Sequence, residues 1–170
     1  MTGYVALLRA VNVGGTGKLP MPELVGMCED AGFGHVRTYI ASGNAVFSSD
    51  LPEAEVKAAL EQRLAAYAGK PVGVFIRDAD EIAGVLDNNP FAGRDPKFTA
   101  AIFLDDAPPP DALDCATGVN SELMTLGTRE IYVHYPDGMG RSKLKIPAAR
   151  TGTARNMNTI TKLAEMAAEV

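Results

Sequence analysis

The order of alternating and helically spaced segments predicts an α+β fold built from two ferredoxin-like halves, antiparallel sheets with helices packed on one face. Three observations lead there: a β-α-β-β-α-β order through Arg77, a second half that repeats it in outline, and a joining segment with no period of its own. Tyr4 to Ala10 is a short apolar run, read as a strand entering a glycine-rich loop. Pro22 suits a first helical position, and Met21, Leu24, Val25, Cys28 and Ala31 recur at helical spacing up to Gly32, a left-handed stop. His35 to Ala41 alternates, with Val36, Thr38 and Ile40 on one face and His35, Arg37 and Tyr39 on the other. Ser42, Gly43 and Asn44 turn into a second strand, Ala45 to Ser48. Asp50 with Glu53 reads as a capping pair for a helix whose buried stripe is Val56, Leu60, Leu64 and Tyr67 and which stops at Gly69. Val72 to Arg77 is the last strand of a module over residues 1–77.

Residues 78–170 form a second, pseudo-repeated module, joined through the Asn-, Pro- and Gly-rich stretch from Asn88 to Lys97. Asp78 to Asn88 reads as a short helix, Phe98 to Leu104 as a strand, and Asp111 to Ala116 as a helix after Pro108-Pro109-Pro110. Glu122 to Leu126 and Glu130 to Tyr135 make a hairpin around Gly127 and Thr128, and a final helix runs from about Met157 to Val170. One compact unit holding both modules fits the same pattern.

Composition sets the class. With 16 Lys and Arg against 21 Asp and Glu the formal charge is 16 − 21 = −5, which argues against a general nucleic-acid coat. No apolar run approaches the 18 or so residues of a membrane span, no targeting segment opens the chain, and Cys28 and Cys115 belong to no Cys-x-x-Cys. The expectation is a soluble cytoplasmic protein with no membrane partner, metal or cofactor.

Charge is unevenly spread, however. Arg141 to Lys162 carries Arg141, Lys143, Lys145, Arg150, Arg155 and Lys162 and no acid, leaving 10 basic and 21 acidic residues elsewhere, so +6 sits beside −11. Thr151, Thr153, Asn156, Asn158 and Thr159 bring hydroxyls and amides to the start of the last helix, whose N–H groups would meet Arg155 at a bound phosphate or carboxylate. Ordinary capping is the competing explanation. Asn12 to Lys18 resembles a phosphate loop only in its glycines, since Asn12 and Leu19 stand where that motif needs Gly and Ser or Thr. Pro20 likewise replaces the last glycine of a dinucleotide fingerprint. Several glycines still let backbone N–H groups approach a ligand, with Arg9, Asn12 and Lys18 at the edges. On the sheet, Arg37, Tyr39, Phe75 and Arg77 share the face opposite the aliphatic one, either a base-stacking platform or a face that packs against the second module or lines the cleft between modules. His35 and His134 lie in strands without a catalytic partner, and the pairs Asp105/Asp106 and Asp78/Asp80 make at most a weak magnesium site.

Four stretches together carry a family resemblance: Leu8 to Gly15, Arg37 to Phe47, Tyr135 to Leu144 and Thr153 to Leu163. They resemble the signatures of the bacterial family known as domain of unknown function 1697, over essentially the whole chain. The resemblance implies two ferredoxin-like halves and no activity; Met157 stands where the family often has an aromatic residue. The polar residues it carries over are Arg9, Asn12, Arg37, Tyr39, Ser42, Asn44, Arg141, Ser142, Lys143, Arg155, Asn156 and Asn158. The expected function is binding of a small, phosphate-bearing anion in a cleft between the halves, with Arg155, Arg37 and Arg9 supplying charge. The alternatives are single-stranded nucleic-acid binding, or an enzyme acting on a phosphorylated small molecule with Tyr39 or Lys143 as proton donor.

Overall fold

A computed structural model of the chain describes residues 1–12 and 18–170. The first apolar run forms β1 (Thr2–Leu8), buried from Tyr4 through Leu8. α1 (Met21–Asp30) follows Pro20, with Pro22 in its first turn, where a missing N–H is harmless. β2 (Gly34–Thr38), β3 (Asn44–Ser49), α2 (Glu53–Ala68) and β4 (Val74–Asp78) complete the first sheet, an antiparallel one in the spatial order β2-β3-β1-β4. Alternation along β1 sends Tyr4, Ala6 and Leu8 toward Leu24, Met27 and Cys28 of α1 and Val56, Leu60 and Leu64 of α2. There Phe33 stacks on Phe47 with ring centroids 4.4 Å apart. Each fully buried leucine in this layer contributes about 1.5–3 kcal/mol. The alternate set, Val5, Leu7, Val46, Phe75 and Arg77, is buried as well.

Downstream, α3 (Ala79–Asp87) begins on a reciprocal cap, in which the Glu81 N–H donates to Asp78 Oδ1 at 2.8 Å and the Asp78 N–H to Glu81 Oε1 at 3.1 Å. β5 (Thr99–Phe103), β6 (Leu123–Leu126), β7 (Glu130–His134) and β8 (Thr153–Asn156) form a second antiparallel sheet, ordered β6-β7-β5-β8, and α4 (Met157–Ala168) ends the chain. Position for position this is the strand order of the first sheet. The chain divides into two compact units, Met1–Ala83 with Lys162–Val170, and Gly84–Thr161.

Several expectations are corrected. The segment Asp111 to Ala116 forms turns instead of a helix. Three prolines hold its approach extended, and six residues with two aspartates are too few to nucleate. That face of the second sheet is covered instead by irregular chain, with Leu113, Ala116, Leu144, Ala148 and Ala149 packed on Leu104, Ile131, Val133 and Ile146. β8, where the sequence reading placed only the polar approach to the last helix, pairs with β5 through Phe103 and Thr153 at one end and Ala100 and Asn156 at the other. In the first unit the strand after α1 stops at Thr38. Its register shifts between Gly34 and Arg37, and His35 and Ile40 take positive φ of 53° and 54°, leaving Ile40 exposed at 49%. Asp50 does not cap α2, whose cap position is Pro52; it pairs with the N-terminal ammonium at 3.4 Å. Tyr67 leaves the buried stripe and is 47% exposed.

Candidate functional site

The exit of β1 is held on both sides. The Leu8 N–H donates to the Gly43 carbonyl and the Arg9 N–H to the Gly73 carbonyl, each at 2.9 Å. Gly43 is needed sterically, and Gly73 sits in a tight contact. A Cβ on Gly43, where φ is +91°, would lie 2.6 Å from Val11 Cγ2, and one on Gly73 would lie 3.0 Å from Arg9 Cβ. Around this exit the polar residues of two motifs converge. Asn12 donates from Nδ2 to the carbonyls of Leu19 and Ala41 and accepts the Leu19 N–H on Oδ1, all at 2.8 Å. Asn44, fully buried, donates to the Tyr39 carbonyl at 3.0 Å and to Ser42 Oγ at 2.9 Å, while the Tyr39 N–H returns to the Asn44 carbonyl. Asn12, Tyr39, Ser42 and Asn44 therefore meet as a scaffold for backbone. Asn12 sits at φ +55°, a conformation asparagine tolerates better than most residues, and by gripping Leu19 it fixes where Lys18 stands.

That scaffold frames a groove of about 520 Å³ in the first unit. It is lined by Arg9, Ala10 and Val11 after β1, Lys18 and Leu19 before α1, Leu64, Tyr67 and Ala68 on the last turns of α2, and Lys70 to Gly73 before β4. Arg9, Lys18 and Lys70 are exposed, and the described lining contains no acid. Its floor is apolar, with Leu64, Leu19 and Val11 at 1%, 3% and 4% exposure. Gly69 closes α2 in the left-handed conformation, so Lys70 follows directly on the carbonyl end of that helix, where a cation is favoured. Like charges gathered in a concave, partly apolar surface raise the local potential and attract anions. Of the groove's polar lining, sequence reasoning singled out Arg9 and Lys18 and missed Tyr67 and Lys70. The phosphate-loop comparison rests on Val13 to Gly17, which lie outside the described residues.

The remaining candidates are placed elsewhere. Arg37 donates from Nη1 to Glu169 Oε2 at 2.7 Å, an exposed ion pair. Phe75 and Arg77 are only 4% and 1% exposed, so the face they share with Arg37 and Tyr39 is no open stacking platform. Arg155 is buried on β8, donating from Nη1 to Thr153 Oγ1 at 2.7 Å and the Ala154 carbonyl at 2.9 Å. Burial draws its guanidinium down to about 10, so it remains charged near neutrality. Asn156 Oδ1 accepts the Thr159 N–H at 2.9 Å, the capping geometry, and Asn158 is exposed in the first turn of α4. Arg141, Ser142 and Lys143 do gather, around a smaller hollow of about 270 Å³ that also holds Glu122 and Asp137. Ser142 Oγ donates to Glu122 Oε1 at 2.8 Å there, and the two carboxylates offset the two cations. His35 and His134 contact Ser48 Oγ and Thr99 Oγ1 through Nδ1, at 3.1 and 2.9 Å. Among the described residues no three His, Cys, Asp or Glu side chains cluster for a metal, and no helix is long and apolar enough to cross a membrane.

Fold and site together define an α+β protein of two four-stranded antiparallel sheets, with a basic groove beside the first. The family model described as a protein of unknown function (DUF1697) matches residues 1–132, and the chain belongs to that family. The match includes every residue of the groove and ends in β7, short of the Thr153 to Leu163 stretch. The chain is also similar to the conserved bacterial protein SP0830 from Streptococcus pneumoniae, with 26% identity over 98% of each chain and a TM-score of 0.82. No curated protein matches it.

Proposed function

We propose that the first unit binds a small, phosphate-bearing anion in the groove beside β1. The observation that carries this reading is the convergence of Arg9, Lys18 and Lys70 on one concavity whose described lining has no acid. Arg9 offers a planar guanidinium suited to two phosphate oxygens at once, and the lysines act as point charges. Each charge-assisted hydrogen bond of this kind contributes about 1.5–3 kcal/mol. Arg37 and Arg155 take no part in this reading, because neither lines the groove. The description of the halves as ferredoxin-like is supported by the β-α-β-β-α-β order of the first unit and the strand order shared by both sheets.

Thermal unfolding in the presence of inorganic phosphate, pyrophosphate, sugar phosphates and nucleotides tests the proposal. A ligand at one hundred times its dissociation constant stabilises by about 2.7 kcal/mol, and the effect weakens as salt screens the groove. Arg9→Ala with Lys70→Ala is expected to abolish the response, with the unliganded transition of the variant as its reference. No stabilisation by any of these anions, or an undiminished response in the double variant, would overturn it.

A further inference from the structure

We infer that the ligand of this groove is a nucleoside monophosphate whose base lies against Tyr67. This rests on the anion reading above and deepens it. Three features of the groove are left unused by an inorganic phosphate. Its volume, about 520 Å³, lies within the roughly 300–1,000 Å³ range of pockets that enclose organic ligands. Its open apolar lining, Ala68, Pro71 and Val72, would stay wet beneath a bare anion. Tyr67, on the last turn of α2, lines the same groove and leaves 47% of its surface exposed.

A phosphate monoester with a flat aromatic body satisfies all three at once. Its phosphate takes the cations, its base covers the apolar wall, and an electron-rich phenol ring stacks on the electron-poor heterocycle in an offset arrangement. A sugar phosphate matches only the charge, and a nucleoside only the wall.

Calorimetric titration of the full chain with adenosine monophosphate, ribose 5-phosphate, inorganic phosphate and adenosine separates the two levels of the argument. The monophosphate is expected to bind about tenfold more tightly than ribose 5-phosphate, the size of effect that one stacked base gives. Tyr67→Leu should remove that tenfold advantage and leave ribose 5-phosphate affinity unchanged, while Tyr67→Phe keeps it. Equal affinities for the monophosphate and ribose 5-phosphate, or a Tyr67→Leu variant that keeps the difference, would overturn the stacked base and leave the anion site standing. Absence of binding by every phosphate compound overturns both. Adenosine binding as tightly as its monophosphate would remove the anion reading itself. The exposure of Tyr67 makes misfolding of its variants a poor explanation for any of these results, and an unchanged denaturation midpoint checks that directly.

Discussion

At the scale of single residues, the polar side chains beside the first two turns are employed by the fold. Asn12 uses both amide hydrogens and its oxygen on backbone groups of Leu19 and Ala41, so Asn12→Ala strands three partners. A loss of about 1–3 kcal/mol in urea unfolding is expected. Its anion affinity should fall too, because Lys18 is no longer held at the rim. Gly43→Ala should cost about 2–4 kcal/mol, as positive φ and a Cβ 2.6 Å from Val11 Cγ2 act together. The thiols make a sharper contrast. Cys28 is fully buried and desolvation, reinforced by Glu29, pushes it up to about 12, whereas Cys115 is exposed. Ellman's reagent should therefore titrate a single thiol in the native protein at neutral pH and two after denaturation. The sequence showed Asn12 and Asn44 as polar residues flanking glycines, the signature of ligand contact as much as of a turn. Their true acceptors, the carbonyls of Ala41 and Tyr39, become visible only once β1 has been placed against the Gly43 turn.

At the scale of elements, periodicity located most of the chain and failed where tertiary partners override it. α1, α2, α3 and the β6–β7 hairpin follow from apolar spacing and turn residues within a residue or two. β8 has only four residues and a polar sequence, and it exists because β5 offers an open edge for it. The missing helix at Asp111 to Ala116 shows the converse, since sheet coverage needs apolar side chains and not a particular backbone. The loop beside the smaller hollow gives an element-level prediction. Glu122 is held below the ordinary glutamate range, first by the N–H of Asn120, then by its own N–H and the Ser142 hydroxyl. The folded carboxyl thus loses its proton at lower pH than the unfolded one, so its contribution to this turn is present above the usual glutamate pKa and is lost as pH falls through the folded value. Ser142→Ala removes one donor, and an NMR titration should show the Glu122 midpoint move upward. No movement would mean that Ser142 does not hold the carboxylate in solution.

At the scale of the molecule, the even spread suggested by a net charge of −5 conceals a sum of +6 and −11. The acid-free C-terminal segment looked like the anion site, yet its most buried cation, Arg155, is engaged by Thr153 and Ala154, and the open basic concavity formed around β1 instead. Linear charge density does not reveal this groove, because Arg9, Lys18 and Lys70 are scattered along the sequence and only the fold gathers them. The α+β class with two antiparallel sheets was legible from element order; the return of the C-terminus to the first unit was not. Lys162–Val170 groups with Met1–Ala83, Glu169 pairs with Arg37, and a Cβ on Gly3 would lie 2.9 Å from the Ala167 carbonyl. Removing residues 162–170 takes away buried Leu163, Met166 and Ala167 and is expected to cost on the order of 4 kcal/mol. Faster amide exchange along β1 and a lower denaturation midpoint in the truncated chain would show it. An unchanged midpoint would mean the segment is dispensable.

The shifted register of β2 bears on how copies of this protein meet one another. β2 is an outer strand of the first sheet, and a straight outer strand is a template on which a second molecule can add its own. Only five residues long, interrupted between Gly34 and Arg37 and twisted by the left-handed backbone of His35, it offers no continuous run of donors and acceptors to copy. The irregularity that upset the alternation read from the sequence also denies this margin a continuous template for strand addition.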